Sequence, residues 1–302
     1  MGHDERFKEF LQTFLQEFLR LFFPEVERRL DFRGVEFLDK EVFTGLAEGK
    51  SRRADVVARL DTQDGNPESV LIHIEIQARR EKRFPARMFE YYSLLQARYR
   101  LPVYPIVVYL RGGKEGLTWE VYRTRLFGAD IQWFRYKTIA LARLDVEEYR
   151  RGVGPVGAAL GALMDSSRTK ERAELRASLL LQIIESKLDE TRQLLLANLI
   201  ENYLELTTEE WDRYRQLVSR EEYRKVQDVE ETWMDRLLRE GRELGVVEGK
   251  RQMLLTLVSE KFGALPDTVR GRVETIDSPD ELDGFLKRIL TASSLEDLGL
   301  DQ

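Results

Sequence analysis

The sequence predicts a mixed α/β domain followed by an all-helical region. Three observations lead there. Short apolar runs with strand character, some alternating with a period of two, occupy residues 54–140, whereas helical periodicity takes over from Thr169 onward. The opening segments read in the order helix, strand, strand, strand, helix, strand, and the helix before the last strand is long enough to serve as a crossover. The chain of 302 residues has room for two or three domains, and its 42% hydrophobic content is enough to build their cores.

Taken in order, Phe10, Leu11, Phe14, Leu15, Phe18, Leu19, Phe22 and Phe23 form the stripe of an amphipathic helix over Phe7–Phe23, stopped by Pro24. Val35–Val42 has mixed strand character. Ala54–Leu60 and Val70–Gln77 read as strands joined across Asp61–Glu68, in which Asp64-Gly65-Asn66-Pro67 is dense in turn residues. In the second strand Leu71, His73, Glu75 and Gln77 share one face, and Val70, Ile72, Ile74 and Ile76 share the other. A helix over Pro85–Tyr99 and a buried strand over Val103–Leu110 follow, closed by Arg111-Gly112-Gly113. Leu117–Tyr122 and Ile131–Ala140 add strand-like pieces.

Beyond that point Leu179–Leu188, Leu194–Tyr203 and Thr208–Leu217 carry helical periodicity, with Thr207-Thr208-Glu209-Glu210 as a start signal. Gln227–Glu260 fits one long helix. Its Gly241, Gly245 and Gly249 each cost about 1 kcal/mol relative to alanine, which suggests a close helix contact or a bend. Lys261-Phe262-Gly263 with Pro266 marks a stop and restart, and Ser278-Pro279-Asp280-Glu281 begins a helix running to about Leu290. The expected division is therefore an α/β domain over 1–165, a helical region with a long linker helix over 166–244, and a small helical domain over 245–302.

Composition removes several chemistries. There is no cysteine, which excludes disulfide scaffolds, zinc–thiolate sites and cysteine nucleophiles and suits a cytoplasmic location. Only His3 and His73 are present, too few for a multi-histidine metal site. The chain opens on MGHDERFKEF, without the apolar core of a signal peptide, and no apolar run approaches the ~20 residues of a membrane span. The net charge of −6 is unevenly spread: residues 51–111 sum to +4 and residues 171–302 to −10.

The chemistry-bearing pattern is Asp55 in one strand and Glu75 with Gln77 in the next. Residues two apart in a strand project together, so Glu75 and Gln77 share a face, and antiparallel pairing through a short turn could bring Asp55 beside them. Two converging carboxylates suit a hard divalent cation such as Mg2+ or Mn2+, and the Gln77 amide could hold an attacking water. The competing interpretation is that Glu75 is an inward charge protecting an edge strand and neutralised by Arg53 or Arg87.

The run Arg53-Ala54-Asp55-Val56-Val57, followed after a hairpin-length gap by His73-Ile74-Glu75-Ile76-Gln77, resembles the PD-(D/E)XK nuclease superfamily. More closely it is similar to the recombination-promoting nuclease (Rpn-like) and transposase family. That family has an Asp in one strand, Glu-x-Gln in the next, and then a helix with spaced Phe, Arg and Tyr, here Phe84, Arg87 and Tyr91. The strand Pro102–Tyr109 and the opening His3-Asp4-Glu5-Arg6-Phe7-Lys8 resemble it too, and residues of about 245–300 are similar to a small helical domain often appended to such nucleases.

The resemblance implies a restriction-endonuclease-like core of order α-β-β-β-α-β and a metal-dependent endonuclease. Its partner would be double-stranded DNA, cut with little sequence specificity, in recombination, transposition or genome defence. Asp55 and Glu75 would be the metal ligands and Gln77 a third catalytic residue, standing where the superfamily often has lysine. Arg79, Arg80, Lys82, Arg83 and Arg87 would contact phosphates without reading sequence. Arg53, His73, Tyr91 and, from the first helix, Asp4 would support the site, His73 as a buried residue rather than a base. The alternatives are a catalytically weak DNA-binding accessory to recombination, or an assembly protein forming homo-oligomers through its helical region.

Overall fold

The computed structural model describes residues 3–38, 55–65, 68–149, 153–167, 169, 171–263, 266–289, 292 and 294–299; the side chains of residues 3–4, 234–246, 267 and 296 lie outside that description. The N-terminal aromatic stripe forms α1 (His3–Thr13) and α2 (Leu15–Phe22), kinked at Phe14. Hydrogen bonds continue across the kink, Phe14 N–H donating to Phe10 O and Phe18 N–H to Phe14 O. Phe7, Phe10, Phe14, Phe18 and Leu19 are fully buried, so the stripe is core. The N-terminal helix stops ahead of Pro24 as expected, α2 ending at Phe22, and Pro24 itself starts a short helix, α3 (Pro24–Glu27). Phe23 leaves helical geometry, and a first turn does not need the N–H that proline lacks.

The strands are β1 (Leu30–Phe37), β2 (Val56–Thr62), β3 (Ser69–Gln77), β4 (Val103–Tyr109), β5 (Leu117–Leu126) and β6 (Ala129–Ala140). β1 begins at Leu30, ahead of the expected Val35–Val42, and residues 39–54 lie outside the described residues. Among the described residues the strands form one six-stranded sheet in the order β1-β2-β3-β4-β6-β5. β1–β2, β2–β3 and β5–β6 are antiparallel, while β3–β4 and β4–β6 are parallel. The expected crossover is α4 (Phe84–Tyr99), with proline in its first turn and Arg100 in left-handed geometry at its end. It packs Phe84 and Met88 onto Val107, Tyr109 and Tyr136, and Tyr91 and Leu95 onto Val57 and Leu71. That cover buries the polar face of β3, so His73, Glu75 and Gln77 are as enclosed as the isoleucines between them.

After the sheet come α5 (Val146–Tyr149), α6 (Gly154–Gly161), α7 (Arg172–Ile184), α8 (Glu190–Tyr203) and α9 (Thr208–Val218). α8 packs on α1 and α6, and α7 on α6, α8 and α9. These helices share one compact unit, residues 1–227, with the sheet, and the division falls between Gln227 and Asp228. The start signal at Thr207 is a reciprocal capping box with Glu210. Buried Arg176 of α7 binds the Glu201 carboxylate and sits 4.7 Å from the Trp211 ring, tying α7 to α8 and α9.

The division lies inside α10 (Arg224–Phe262). The second unit, residues 228–302, contains most of α10 with α11 (Asp267–Glu274), α12 (Pro279–Arg288) and α13 (Leu295–Leu298). Leu254, Val258, Val273, Leu282 and Phe285 form its core. Gly263, at φ +88°, ends α10 where a side chain would be strained, and Ser278 caps α12 through the Glu281 N–H. No other element among the described residues comes within 4 Å of where a Cβ would stand on Gly249. Among the described residues no helix is long and apolar enough to cross a membrane.

Candidate functional site

Asp55 immediately precedes β2, and the register that sets Val56 opposite Ile74 brings Asp55 to the level of Glu75. Each carboxylate accepts a backbone N–H from the other segment. Asp55 N–H donates to Glu75 Oε1 at 3.2 Å, and Ile76 N–H donates to Asp55 Oδ2 at 2.8 Å. Lys8 of α1 reaches the same corner, with Nζ 2.6 Å from Asp55 Oδ1. Burial first, and then the charge of Glu75, push the Asp55 carboxyl up to about 6, although Lys8 and the Ile76 N–H pull it the other way. Burial is thus the main influence on this carboxyl, with the neighbouring carboxylate adding to it.

His73 lies two residues before Glu75 on the same face and is completely buried. Its Nε2 stands 2.9 Å from Glu75 Oε1. An ionised carboxylate only accepts, so this bond requires the proton on Nε2, and His73 then fixes the Glu75 rotamer. The Nδ1 atom is buried without a partner among the described residues, and Tyr91 of α4 meets the ring edge-on at 5.9 Å between centroids. His73 is therefore a buried residue whose one ring nitrogen meets the Glu75 carboxylate.

Gln77 is engaged at both ends of its amide: Nε2 donates to Ile76 O at 2.8 Å, and Oε1 accepts from Arg87 at 3.0 Å. Arg87 also lies 3.3 Å from Glu81 Oε2, and its guanidinium rests 4.9 Å from the Phe84 ring centre. The i, i+4 spacing of Arg87 and Tyr91 thus places two supports on one helix face, one on Gln77 and the other on His73. β3 is not an edge strand, having a neighbour on each side, and Arg87 binds Gln77 and Glu81 rather than Glu75; a pairing of Glu75 with Arg53 lies outside the described residues.

The basic loop after β3 is exposed at Arg79, Arg80, Lys82 and Arg83. Arg80 bonds to Glu120 Oε2 at 3.2 Å, and the same oxygen accepts from Tyr136 Oη at 3.1 Å. Burial and Glu120 hold the Tyr136 hydroxyl protonated well beyond its ordinary range. Arg53 lies outside the described residues, as does the side chain of Asp4. Among the described residues no group of three or more His, Cys, Asp and Glu side chains is placed to hold a metal. The hard oxygen donors at this corner are those of Asp55 and Glu75.

Lys8, Glu120 and Tyr136 join this neighbourhood without having been assigned a role from the sequence. Lys8 stands beside the buried stripe of α1 and far from the basic segment in chain order, so a segment-by-segment charge count misses it. Compared with protein-family models, with curated proteins and with solved structures, the chain matches none.

Proposed function

We propose that the chain is a divalent-metal-dependent endonuclease hydrolysing phosphodiester bonds of double-stranded DNA with little sequence specificity, on a restriction-endonuclease-like core of the Rpn-like kind, in recombination or genome defence. The observation that carries this proposal is the buried carboxylate pair, Asp55 and Glu75, interlocked at adjacent strand ends. Two hard carboxylates are what magnesium or manganese needs from a protein when phosphate oxygens and waters complete its shell. The corner already accommodates a positive charge, the Lys8 ammonium on Asp55, so the donor set fits such an ion.

When bound, the ion supplies Lewis acidity and lowers the pKa of a coordinated water. The remaining work falls to the chain. Asp55 and Glu75 hold the ion, and His73 keeps Glu75 in one rotamer. Lys8 brings a cation to the carboxylate pair from α1, which compensates for glutamine at a position where the superfamily often has lysine. Gln77, fixed by Arg87 and by the Ile76 carbonyl, keeps one amide hydrogen and one oxygen lone pair by which to orient a water. Arg79, Lys82 and Arg83 project from the loop beyond Gln77, where they can meet phosphates.

Supercoiled plasmid incubated with the protein and Mg2+ or Mn2+ should be nicked, and EDTA should stop it. Asp55→Ala/Glu75→Ala should lower the rate by at least about 100-fold, since only interactions made in the transition state raise kcat. Equal nicking by wild type and the double variant would refute the assignment.

A further inference from the structure

The β5–β6 hairpin carries a surface that the carboxylate site does not use. Among the described residues β4 pairs with β6 only at Lys137–Ala140, and residues 129–136 of β6 pair with β5 alone as a two-stranded ribbon. One side of the ribbon packs on α4, with Phe89 5.9 Å from Tyr122 and Tyr92 4.8 Å from Phe134 between ring centres. The other side alternates aromatic rings and cations. Trp119 stands opposite Lys137, and Arg123 stands opposite Trp133. The Arg135 guanidinium lies 4.6 Å from the Trp119 ring and 5.3 Å from the Trp133 ring, and Lys137 Nζ lies 4.6 Å from Trp119.

This ladder is open to solvent: Trp119 is 40% exposed and Trp133 53% exposed. Its inner end, at Trp119 and Lys137, also lines a cavity of about 570 Å³. Of the two acids in the hairpin, Glu120 points to the opposite side of the strand and is held by Arg80 and Tyr136, and Asp130 near the tip is paired with Arg125. At the tip, Phe127 and Gly128 both have positive φ, the two-residue turn that suits a twisted hairpin, and Phe127 is 99% exposed. A bulky residue in left-handed geometry with its ring in water lowers stability locally, which is reason to look for what the ring meets.

We propose that this ribbon face binds single-stranded DNA, with Trp133, Trp119 and Phe127 as stacking platforms and Arg123, Arg135 and Lys137 as phosphate contacts. Same-face residues along a strand repeat at roughly 6.8 Å, a stride that an extended single strand can follow. Charge complementarity favours a polyanion, and exposed indoles favour bases whose faces are free, which a duplex hides. Stacked guanidiniums keep their N–H edges for phosphate. The choice of DNA over RNA rests on the proposed function. The binding itself does not, because the ribbon extends from β6 in the direction away from the β3 end that carries Glu75 and Gln77.

The test is fluorescence anisotropy of a labelled oligothymidylate of about 15 nucleotides with the full chain in EDTA, so that failure of cleavage leaves the result untouched. Phe127→Ala and Trp133→Ala, both at exposed positions, should each weaken binding by about 10-fold, with Trp133→Phe restoring most of it. Arg135→Gln should reduce the salt dependence by about 0.7 in the slope of log affinity against log salt. Unchanged affinity in the tryptophan and phenylalanine variants would overturn the proposal. So would tighter binding to duplex or to oligouridylate than to oligothymidylate, or loss of a dimer in Trp133→Ala with oligonucleotide binding intact.

Discussion

The carboxylate corner and the β5–β6 ribbon use similar ingredients, charged groups beside apolar ones, at opposite extremes of solvation. At the corner Asp55, Glu75 and His73 are buried, their polar contacts are directed hydrogen bonds and one ion pair, and the Asp55 carboxyl is driven up to about 6. On the ribbon Arg135 and the indoles are exposed, and their contacts are stacked and interchangeable. The difference teaches where electrostatic energy is stored. A charge deprived of water depends on its partner, so removing that partner costs much, whereas water replaces most of what an exposed cation loses.

The sharpest way to test that contrast is to remove Lys8. Lys8→Met leaves the Asp55 carboxylate buried beside Glu75 and should destabilise the protein by about 3 kcal/mol at pH 7 in urea unfolding. Lys8→Met/Asp55→Asn should recover most of that loss; a double variant as unstable as the single one would place the defect in α1 packing instead.

The second consequence concerns pH. The native Asp55 carboxyl holds its proton up to about 6, while in the unfolded chain it gives it up near 3.8. Over that interval the native state binds more protons, so this group's contribution to stability is greatest below about pH 4 and declines as pH rises to about 6. In EDTA, unfolding free energies of wild type and Asp55→Asn should therefore diverge across that window, by up to about 3 kcal/mol, with the wild type showing the steeper fall. Parallel curves would mean that Asp55 titrates normally.

The smallest effect belongs to the ribbon. Trp133→Ala should change unfolding free energy by no more than about 0.5 kcal/mol, since it removes an exposed side chain and an exposed cation–π contact. A larger loss would show the ribbon face to be structural, and would erase the contrast with the corner.

Much of the fold was legible because it rests on local signals. The period-two alternation of Val70–Gln77, the proline-led helix after Arg83 and the capping residues Thr207 and Ser278 each specify their own element. Misreadings arose where neighbours override local preference. The first strand was read over Val35–Val42, yet β1 runs over Leu30–Phe37, where it finds β2 to pair with. Leu117–Tyr122 and Ile131–Ala140 showed as strand-like pieces, yet their pairing into a ribbon with one face on α4 depends on a helix elsewhere in the chain.

The sequence by itself determined the residue types that can do chemistry: with no cysteine and two histidines, carboxylates had to carry any hard-metal site, and alternation put Glu75, Gln77 and His73 on one face. Only the tertiary structure decided that this face is buried, that Lys8 crosses from α1 to meet Asp55, and that Arg87 holds Gln77 rather than Glu75. The physical reason is one of range. Hydrogen-bond geometry and side-chain periodicity act over a few residues and can be read in order, whereas desolvation and ion pairing depend on which distant segments pack together.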